Sequence, residues 1–403
     1  MSILQVKIYL FDTIESHENL LPLSYTRPLA DFRCGILTIR EKWEKRMPSD
    51  YGYYPVEYLR ETYGTVSNPS EESLFISGNL LPREDLIEEV KNLKVGEAIL
   101  KDKSVVVFRG TLEDFESKKW EEKKTSGKLN ILHYVYDIFL QNPEEIKEDY
   151  IVLTKGRKSL PIPDCIRSLY GKEGRDIESN IFIEEGATVE CATINIKEGP
   201  VYIGKDSKLM EGACIRGPFA LCDCSEVRMG SKIYEGTTIG PHCKVGGEVS
   251  NTVFFGYSNK AHDGYLGNAV IGEWCNIGAG TNASNLKNDY SLIRVWNFRT
   301  HTFMRTDLQF CGVIMGDHSK IGVNCMINTA TVIGVGVNIH GAGFPRVFLS
   351  NFCEGSPLAG FVEVPLNKFL EIVERVMSRR DKVPSTAYLN MLRMLYDSTG
   401  LYK

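Results

Sequence analysis

The feature that most constrains the fold is a strict six-residue repeat of aliphatic side chains. Between Ile203 and Val245 every sixth position is Ile, Leu or Val, without exception. An α-helix repeats about every 3.6 residues and a strand about every two, so a period of six matches neither element. It is typical of a solenoid with three short sides per coil, one aliphatic residue per side pointing inward, and Gly or small polar residues at the corners. The same register returns at Met315, Ile321, Ile327, Ile333 and Ile339. The sequence therefore predicts a left-handed parallel β-helix of hexapeptide repeats.

The regions on either side of the repeat have different patterns. Short apolar strands alternate with charged helical stretches between residues 74 and 160, which favours an α/β domain. After Pro365, apolar residues recur at helical spacing, which predicts helices that cover the open end of the solenoid. We expect four segments: an α/β domain over residues 1–170, a linker over 171–180, the β-helix over 181–362 and a helical tail over 363–403.

Composition excludes some partners. The formal charge of -5 and the pI near 5.9 give no net basic field, which argues against nucleic acid as the main partner. The N-terminal residues show no signal-peptide pattern, and no apolar run is long enough to span a bilayer, so we expect a cytoplasmic protein with no membrane partner. Eleven scattered cysteines, an odd number, predict reduced thiols that mostly serve packing.

The N-terminal region carries a first resemblance. Leu21–Pro28, followed by Gly35, resembles the opening segment of sugar-1-phosphate nucleotidylyltransferases. The glycine-rich phosphate turn of that family is replaced here by Asp12–Asn19, which has no Gly and two Glu, so backbone amides would wrap a phosphate less closely. The resemblance implies a nucleoside triphosphate bound with Mg2+, and the metal ligands are not assigned. The candidate phosphate ligands are Arg27, Lys42 and Lys45, with a local structural role as the alternative for each.

A second, more specific resemblance lies between the two runs of the repeat. The motifs His262–Gly267, Asn276–Thr281 and Asn285–Asn288 resemble, in order and spacing, the acetyltransferase domain of the bifunctional bacterial enzyme that makes UDP-N-acetylglucosamine. The resemblance implies His262 as general base, Tyr265 and Asn276 as sugar-phosphate ligands, and Ala279 and Asn285 as contacts to acetyl-CoA. Two lysines beside these motifs, Lys260 and Lys287, are candidates to neutralise the sugar phosphate or are simply solvated.

The role of His262 also has a reason of its own. The amine of a sugar loses a proton as it attacks a thioester, and histidine, with an unperturbed pKa of about 6.5, accepts that proton near neutral pH. The sequence therefore predicts an enzyme of sugar-nucleotide biosynthesis that acetylates glucosamine-1-phosphate and couples the sugar-1-phosphate to UTP.

Two alternatives stay open at this point. One is a nucleotidylyltransferase of other specificity, for example for dTTP and glucose-1-phosphate, in which the solenoid only assembles subunits. The other is a regulatory protein that senses a sugar nucleotide without catalysis. We also expect a homotrimer with its sites between neighbours, and we expect the interruption at Tyr290–Phe298, with Trp296, to reach across that seam.

Overall fold

The structure is a computed structural model that describes residues 6–169 and 177–399. The described chain divides into two compact units. The first unit contains residues up to 20, with 26–32 and 37–134, and the second contains 21–25, 33–36 and the residues from 135 onward. The predicted linker at 171–180 lies largely outside the described residues, and of it only the helix Ile177–Asn180 is seen. The predicted domain boundaries remain predictions.

The first unit is the expected α/β domain. Its six-stranded sheet runs, in spatial order, Tyr51–Tyr54, Lys7–Phe11, Ser73–Ser77, Ser104–Gly110, Glu97–Lys101 and Glu121–Glu122. The first three strands are parallel, and Ser104–Gly110 is antiparallel to both of its neighbours. A short antiparallel pair joins Leu80–Leu81 to Asn130–Ile131. The α-helices are Ile14–Asn19, Ile39–Arg46, Arg60–Tyr63, Glu84–Lys91 and Leu112–Glu116.

Local sequence explains where these elements begin and what they bury. Thr13 and Thr38 each start a helix with a capping box, in which the threonine side chain accepts from the backbone three residues later. The sheet buries an aromatic cluster on one face that includes Tyr9, Phe75 and Phe108. Burying such large apolar side chains is the main source of stability for the sheet.

The second unit is the predicted β-helix. Its strands form three sheets, which we name by face. Face 1 consists of Ile181–Ile183, Val201–Ile203, Phe219–Leu221, Thr237–Ile239, Val253–Gly256, Val270–Glu273, Ile314–Met315, Val332–Ile333 and Phe348–Leu349. Face 2 consists of Thr188–Val189, Lys208–Leu209, Glu226–Val227, Lys244–Val245, Asn259–Lys260, Asn276–Ile277, Lys320–Ile321, Asn338–Ile339, Cys353–Ser356 and the antiparallel Gly360–Glu363. Face 3 consists of Arg167–Leu169, Thr193–Asn195, Cys214–Arg216, Lys232–Ile233, Glu248–Ser250, Tyr265–Gly267, Asn282–Ala283 and Met326–Ile327.

The six-residue repeat is confirmed as the core of this solenoid. Residues eighteen positions apart lie directly above one another, so that Ile203 pairs with Leu221 and Leu221 pairs with Ile239 on face 1. The aliphatic residues of both runs are buried in a single cluster along the solenoid. The fold is therefore a left-handed parallel β-helix, as the repeat predicts.

Within residues 135–169 and 177–399, the second unit has the α-helices Asp137–Thr154, Ile177–Asn180, Leu366–Ser378 and Thr386–Ser398. The last two confirm the predicted helical tail. The segment 33–36 is also part of this unit, because Gly35 N–H donates to Asn142 Oδ1 at 2.6 Å and Thr238 Oγ1 donates to the Gly35 carbonyl at 3.0 Å. Among the described residues, no helix is both long enough and apolar enough to cross a bilayer.

The interruption of the repeat folds as a hairpin of Arg294–Asn297 and Thr302–Arg305. Trp296 stacks on Phe348 at 4.2 Å between ring centroids, and Phe298 is buried against Tyr25 and Phe348. These two aromatic rings are thus used within their own chain. Trp296 is only half-buried, and Tyr290 and Leu292 of the same segment are exposed, so the expectation that this segment reaches across to a neighbouring subunit stays a prediction.

One corner of the solenoid carries a column of stacked rings. His242, Tyr257, Trp274 and His318 occupy this corner in successive coils, and all four adopt left-handed backbone conformations with φ between +52° and +60°. Their ring planes lie within 13° of parallel from one residue to the next. In the next coil the same corner is Gly336, and Phe369 of the helix Leu366–Ser378 packs into the space that it leaves.

We expect Gly336→Ala to destabilise the second unit more than Gly230→Ala. Both glycines have left-handed φ, +67° and +66°, but a Cβ on Gly336 would lie 2.7 Å from the Phe369 ring, whereas a Cβ on Gly230 meets nothing within 4 Å. The control should lose about 1 kcal/mol from backbone strain, and Gly336→Ala should lose about 2–4 kcal/mol because overpacking adds to it. Urea unfolding measures both, and equal losses would show that Phe369 does not dock here.

Candidate functional site

A cavity of about 760 Å³ opens on face 2 of the solenoid. Three of the predicted site residues, His262, Asn276 and Ala279, line it, and Val376, Arg379 and Arg380 at the end of the helix Leu366–Ser378 form another part of its wall. We call it the His262 cavity. Further residues of its lining are Lys244, Tyr257, Trp274 and Lys320.

His262 lies in the corner turn between face 2 and face 3. The strand Asn259–Lys260 ends two residues before it, and the strand Tyr265–Gly267 begins three residues after it. The turn closes at Gly264, whose φ is +124° and where a Cβ would lie 2.1 Å from the Thr281 carbonyl oxygen, so only glycine fits. This tight turn leaves the His262 side chain exposed at the cavity.

Tyr265 and Asn285 meet on face 3, beyond that turn. Asn285 Nδ2 donates to Tyr265 Oη at 2.9 Å and to Asn268 Oδ1 at 2.7 Å. Burial raises the pKa of Tyr265, so its hydroxyl is protonated and can donate to a ligand. The structure therefore brings Tyr265 and Asn285 together, although neither of them lines the His262 cavity, and their predicted ligand contacts stay predictions.

Lys260 has an unusual place for a charged residue. It pairs with Val245 in the parallel register of face 2, a position that is aliphatic in most coils, and it is only 1% exposed. Its Nζ donates to the carbonyls of Gly246 and His262, both at 2.9 Å, and burial lowers the pKa of Lys260 to about 8. This geometry does not support Lys260 as a sugar-phosphate ligand, because its Nζ is held inside the turn. It instead fixes the backbone of His262.

Lys320 is a second lysine of this kind and was missed from the sequence. Its Nζ donates to the carbonyls of Trp274 and His318, at 3.0 and 2.7 Å, and burial lowers the pKa of Lys320 to about 8. Lys320 thus links the backbones of two residues whose rings stack, and it also lines the His262 cavity. No sequence motif marks it, since a lysine before an aliphatic residue is common on this face.

The far end of the cavity is strongly basic. Arg379 and Arg380 contribute two guanidinium groups, and Arg380 donates to Asn259 Oδ1 at 3.0 Å. Burial lowers the pKa of His242 in the adjoining corner, and the nearby Lys382 and Arg380 lower it further. The cavity thus combines a histidine at one end, aromatic edges along its wall and positive charge at the other end. It suits an extended ligand with anionic groups at one end.

Lys287 lies elsewhere. It lines a separate cavity of about 720 Å³, and its Nζ donates to the Leu292 carbonyl at 3.0 Å. The structure therefore does not bring Lys287 into the His262 cavity, and its predicted role with the sugar phosphate stays a prediction.

The first unit has a polar pocket of about 300 Å³ at the carboxyl ends of its strands Lys7–Phe11 and Ser73–Ser77. Its lining is rich in hydroxyl and amide groups, together with an exposed histidine. The polar residues of that lining include Thr13, Ser16, Asn19, Ser77, Asn79 and His133. Such groups can bind a base, a ribose or a phosphate oxygen.

The three predicted nucleotide ligands do not line this pocket. Arg27 is only 5% exposed, and Lys42 is 0% exposed. Lys42 is buried because it shares the inward face of the helix Ile39–Arg46 with Ile39 and Trp43. Lys45 is exposed on the same helix. The geometry does not support Lys42 as a phosphate ligand, and the roles of Arg27 and Lys45 remain predictions.

The carboxylates of the first unit bear on the predicted binding of Mg2+. In the described part of the chain, no three or more His, Cys, Asp or Glu side chains are grouped to hold a metal ion. Asp12, at the end of the first strand, accepts from the Leu29 N–H, and burial raises its pKa to about 8. Mg2+ bound with a nucleotide usually needs only one or two carboxylates, the phosphates supplying the remaining ligands, so Mg2+ in the first unit stays a prediction.

The sequence of this chain is similar to those of known proteins. Residues 8–158 match the sugar nucleotidyl transferase family. The bifunctional protein GlmU of Methanocaldococcus jannaschii is 30% identical over 299 residues, which are 66% of this chain and 69% of that protein. GlmU of Gloeobacter violaceus is 29% identical over 111 residues, which are 27% of this chain and 20% of that protein.

Solved acyltransferase structures align with about half of the chain at low scores. The polySia-specific acetyltransferase NeuO covers 49% of this chain and 85% of its own, with 10% identity and a TM-score of 0.28. The N-acyltransferase AntD from Bacillus cereus, solved with dTDP and 3-hydroxybutyryl-CoA, covers 53% of this chain and 92% of its own, with 15% identity and a TM-score of 0.24.

The two units and the sequence matches define a transferase in two parts, a sugar nucleotidyltransferase unit joined to a hexapeptide-repeat acyltransferase solenoid. The chain belongs to the GlmU family of bifunctional proteins.

We expect the stability difference between wild type and Lys260→Met to depend on pH. Above its folded pKa of about 8, Lys260 loses its proton in the folded state, whereas in the unfolded chain it keeps the proton up to its ordinary pKa of 10.5. The unfolded state then binds more protons, so the stability of wild type rises relative to the variant. From about pH 8 to about pH 9.5 the gain should reach about 2 kcal/mol.

Urea unfolding at several pH values measures this difference. The exposed Lys232→Met on face 3 is the control and should show no such trend. A difference for Lys260→Met that stays constant with pH would mean that the Lys260 side chain is solvated.

Proposed function

We propose that the solenoid transfers an acetyl group from acetyl-CoA to the amine of glucosamine-1-phosphate, and that the first unit couples the sugar-1-phosphate to UTP with release of pyrophosphate. The observation that carries the first half is the His262 cavity, where an exposed imidazole lies at the end of a basic, aromatic channel. The membership of the GlmU family supports the pairing of the two activities.

In the acetyl transfer, the amine nitrogen attacks the thioester carbonyl carbon. A C–N bond forms, the C–S bond breaks, and the thiolate of coenzyme A leaves. The attacking nitrogen must lose a proton, and His262 accepts it because its turn places the imidazole at the cavity without burying it. The proton can then pass to the leaving thiolate, which returns His262 to its neutral form.

Lys260 supports this step by holding the backbone of the turn that carries His262. Its two hydrogen bonds to the Gly246 and His262 carbonyls hold the turn in one geometry, and general-base catalysis depends on such positioning.

The composition of the cavity supports acetyl-CoA as its occupant. Its volume of about 760 Å³ lies in the range of about 300–1,000 Å³ that is usual for ligand sites. Arg379 and Arg380 can bind the phosphates of the coenzyme through paired hydrogen bonds, and the edges of Tyr257 and Trp274 can pack on its apolar portion. Ala279 would leave room for the coenzyme beside His262.

The second substrate fits the polar groups around the turn. Asn276 lines the cavity beside His262, and Tyr265 was predicted as a further sugar-phosphate ligand. Asn285, predicted to contact acetyl-CoA, bonds directly to Tyr265. If both predictions hold, the two substrates adjoin at this hydrogen bond, as acyl transfer requires.

We also propose a cytoplasmic homotrimer that binds neither nucleic acid nor membrane. The support for assembly is the apolar surface left exposed on the solenoid, which includes Val323 in the His262 cavity lining and Met326 on face 3. Contact with a neighbouring copy would bury such residues and complete the cavity wall.

We expect His262→Ala to reduce acetyl transfer by about 10²–10⁴-fold, the usual effect of removing a general base. The fold should persist, because the side chain is exposed. Thiol release from acetyl-CoA in the presence of glucosamine-1-phosphate measures the rate. His340→Ala, an exposed histidine outside the cavity lining, is the matched control and should keep full activity. Wild-type rates in both variants would remove His262 from the reaction.

For the first unit, we propose that the nucleotide binds in the polar pocket beside Thr13 and Asn79. The alternative is a domain that binds the nucleotide without transferring it. Pyrophosphate release with UTP and the sugar-1-phosphate, in the presence of Mg2+, distinguishes the two roles.

We expect His133→Ala to weaken UTP binding about fivefold, which corresponds to one lost hydrogen bond of about 1 kcal/mol. His133 is exposed in the polar pocket, so the substitution should not disturb the fold. Lys45→Ala tests the competing prediction that Lys45 binds the nucleotide: Lys45 is exposed outside the pocket lining, so a nucleotide bound in the pocket leaves the UTP affinity of this variant unchanged. Calorimetric titration with Mg2+ present measures both, and weakening only in Lys45→Ala would place the nucleotide at the helix Ile39–Arg46 instead.

A further inference from the structure

Two exposed cysteines lie side by side at the beginning of the solenoid. The backbone N–H of Cys191 donates to Cys165 Sγ at 3.2 Å, and both side chains are exposed. Neither residue lines the His262 cavity or the polar pocket of the first unit. The proposed transferase chemistry therefore leaves this pair of thiols without a role.

The strand register explains why the two thiols are adjacent. On face 3, Arg167 pairs with Thr193 in parallel, and each cysteine lies two residues before one of these partners. Both cysteines lie in the corner just before these strands, Cys165 in a turn and Cys191 with a left-handed φ of +35°, and the 3.2 Å contact from Cys191 N–H to Cys165 Sγ makes them neighbours in successive coils. A disulfide needs Cα atoms about 4.4–6.8 Å apart, and neighbouring coils of a parallel solenoid are spaced within that range.

The segment that carries Cys165 is also held in place. Arg157 makes a bidentate ion pair with Glu184, with its shorter contact at 2.5 Å, and Leu160 N–H donates to the Ile183 carbonyl at 2.9 Å. These contacts fix the approach of the chain to face 3. The thiol pair is thus a feature of an ordered surface.

The interaction between the thiols is also visible in their protonation. A hydrogen bond with Cys165 is the largest cause that raises the pKa of Cys191, and the nearby Glu211 and Glu190 act in the same direction. The raised pKa of Cys191 favours it as the thiol that reacts second, and the backbone N–H of Cys191 donates to the sulfur of Cys165, the thiol that we assign to the first step.

We propose that Cys165 and Cys191 form a reversible intramolecular disulfide by exchange with a small-molecule disulfide. The Cys165 thiolate attacks one sulfur of that disulfide and releases the first small thiol. Cys191, losing its proton, then attacks Cys165 Sγ and releases the second. One S–S bond breaks and one forms, two electrons pass from the protein to the small molecule, and the two protein protons end on the two released thiols.

The bond would fasten an edge of the solenoid. Among the strands that the structure describes, Arg167–Leu169 is the outermost of face 3 and pairs with Thr193–Asn195 alone. A single two-strand contact at the end of a sheet is the part of a solenoid that opens most easily. A link between Cys165 and Cys191 would hold this strand closed under oxidising conditions and release it under reducing ones.

The experiment uses the full-length protein incubated with oxidised glutathione and then digested under non-reducing conditions. Mass spectrometry should find the Cys165 and Cys191 peptides joined, with the loss of two hydrogen atoms, and dithiothreitol should separate them. Limited proteolysis should show slower cleavage near Arg167–Leu169 after oxidation. Cys191→Ser should instead carry one glutathione on Cys165, because the resolving thiol is missing.

Cys214→Ser is the matched control, since Cys214 is also exposed on face 3 and should leave the cross-link unchanged. Glutathione attached separately to Cys165 and Cys191 in wild type, or a cross-link to Cys214 instead, would overturn the proposal. Acetyl transfer is measured in parallel, and its presence or absence does not affect this outcome, because neither thiol belongs to the His262 cavity.

Discussion

The structure depends on the stacking of inward-facing aliphatic residues in exact parallel register. Each side of a coil contributes one such residue, and the residue eighteen positions later lies directly on it, as Ile203, Leu221 and Ile239 do. A solenoid buries its core only through neighbouring coils, so each coil is stable because the next one covers it. The turn of His262 is positioned by this stack of coils.

The repeating register of the coils explains how much of the second unit could be predicted from the sequence. The fold followed from the repeat, and the turn of His262 followed from its flanking motif. The sequence did not show that the side chain of Lys260 is buried, because the coils shorten in this region. Lys260 pairs with Val245 after fifteen residues instead of eighteen. A count of six residues therefore no longer shows which side chain points inward. Arg379 and Arg380 could not be predicted as part of the cavity, since they reach it through the docking of a helix more than a hundred residues away.

The first unit shows a different limit of sequence reasoning. Basic residues near a resembling motif suggested phosphate ligands, yet Lys42 follows Ile39 by three residues and precedes Trp43, and this spacing places it on the buried face of a helix. This helical spacing was visible in the sequence, and it is a better guide to the burial of Lys42 than its charge is. By contrast, the pocket of hydroxyl and amide groups is built from four separate strand ends and turns, and only the tertiary fold brings them together.

The segment 33–36 has a consequence for how this protein can be divided. Asn142 accepts a hydrogen bond from the Gly35 N–H, Thr238 donates one to the Gly35 carbonyl, and Asp149 accepts one from the Ile36 N–H at 2.9 Å. Residues 33–36 therefore complete the packing of a unit whose main segment begins at residue 135, about a hundred residues later. A gene fragment encoding only the solenoid would leave these buried polar groups facing solvent. The two units therefore cannot be exchanged between relatives as independent modules. A recombinant that takes the solenoid from one relative must also take residues 33–36 from that relative.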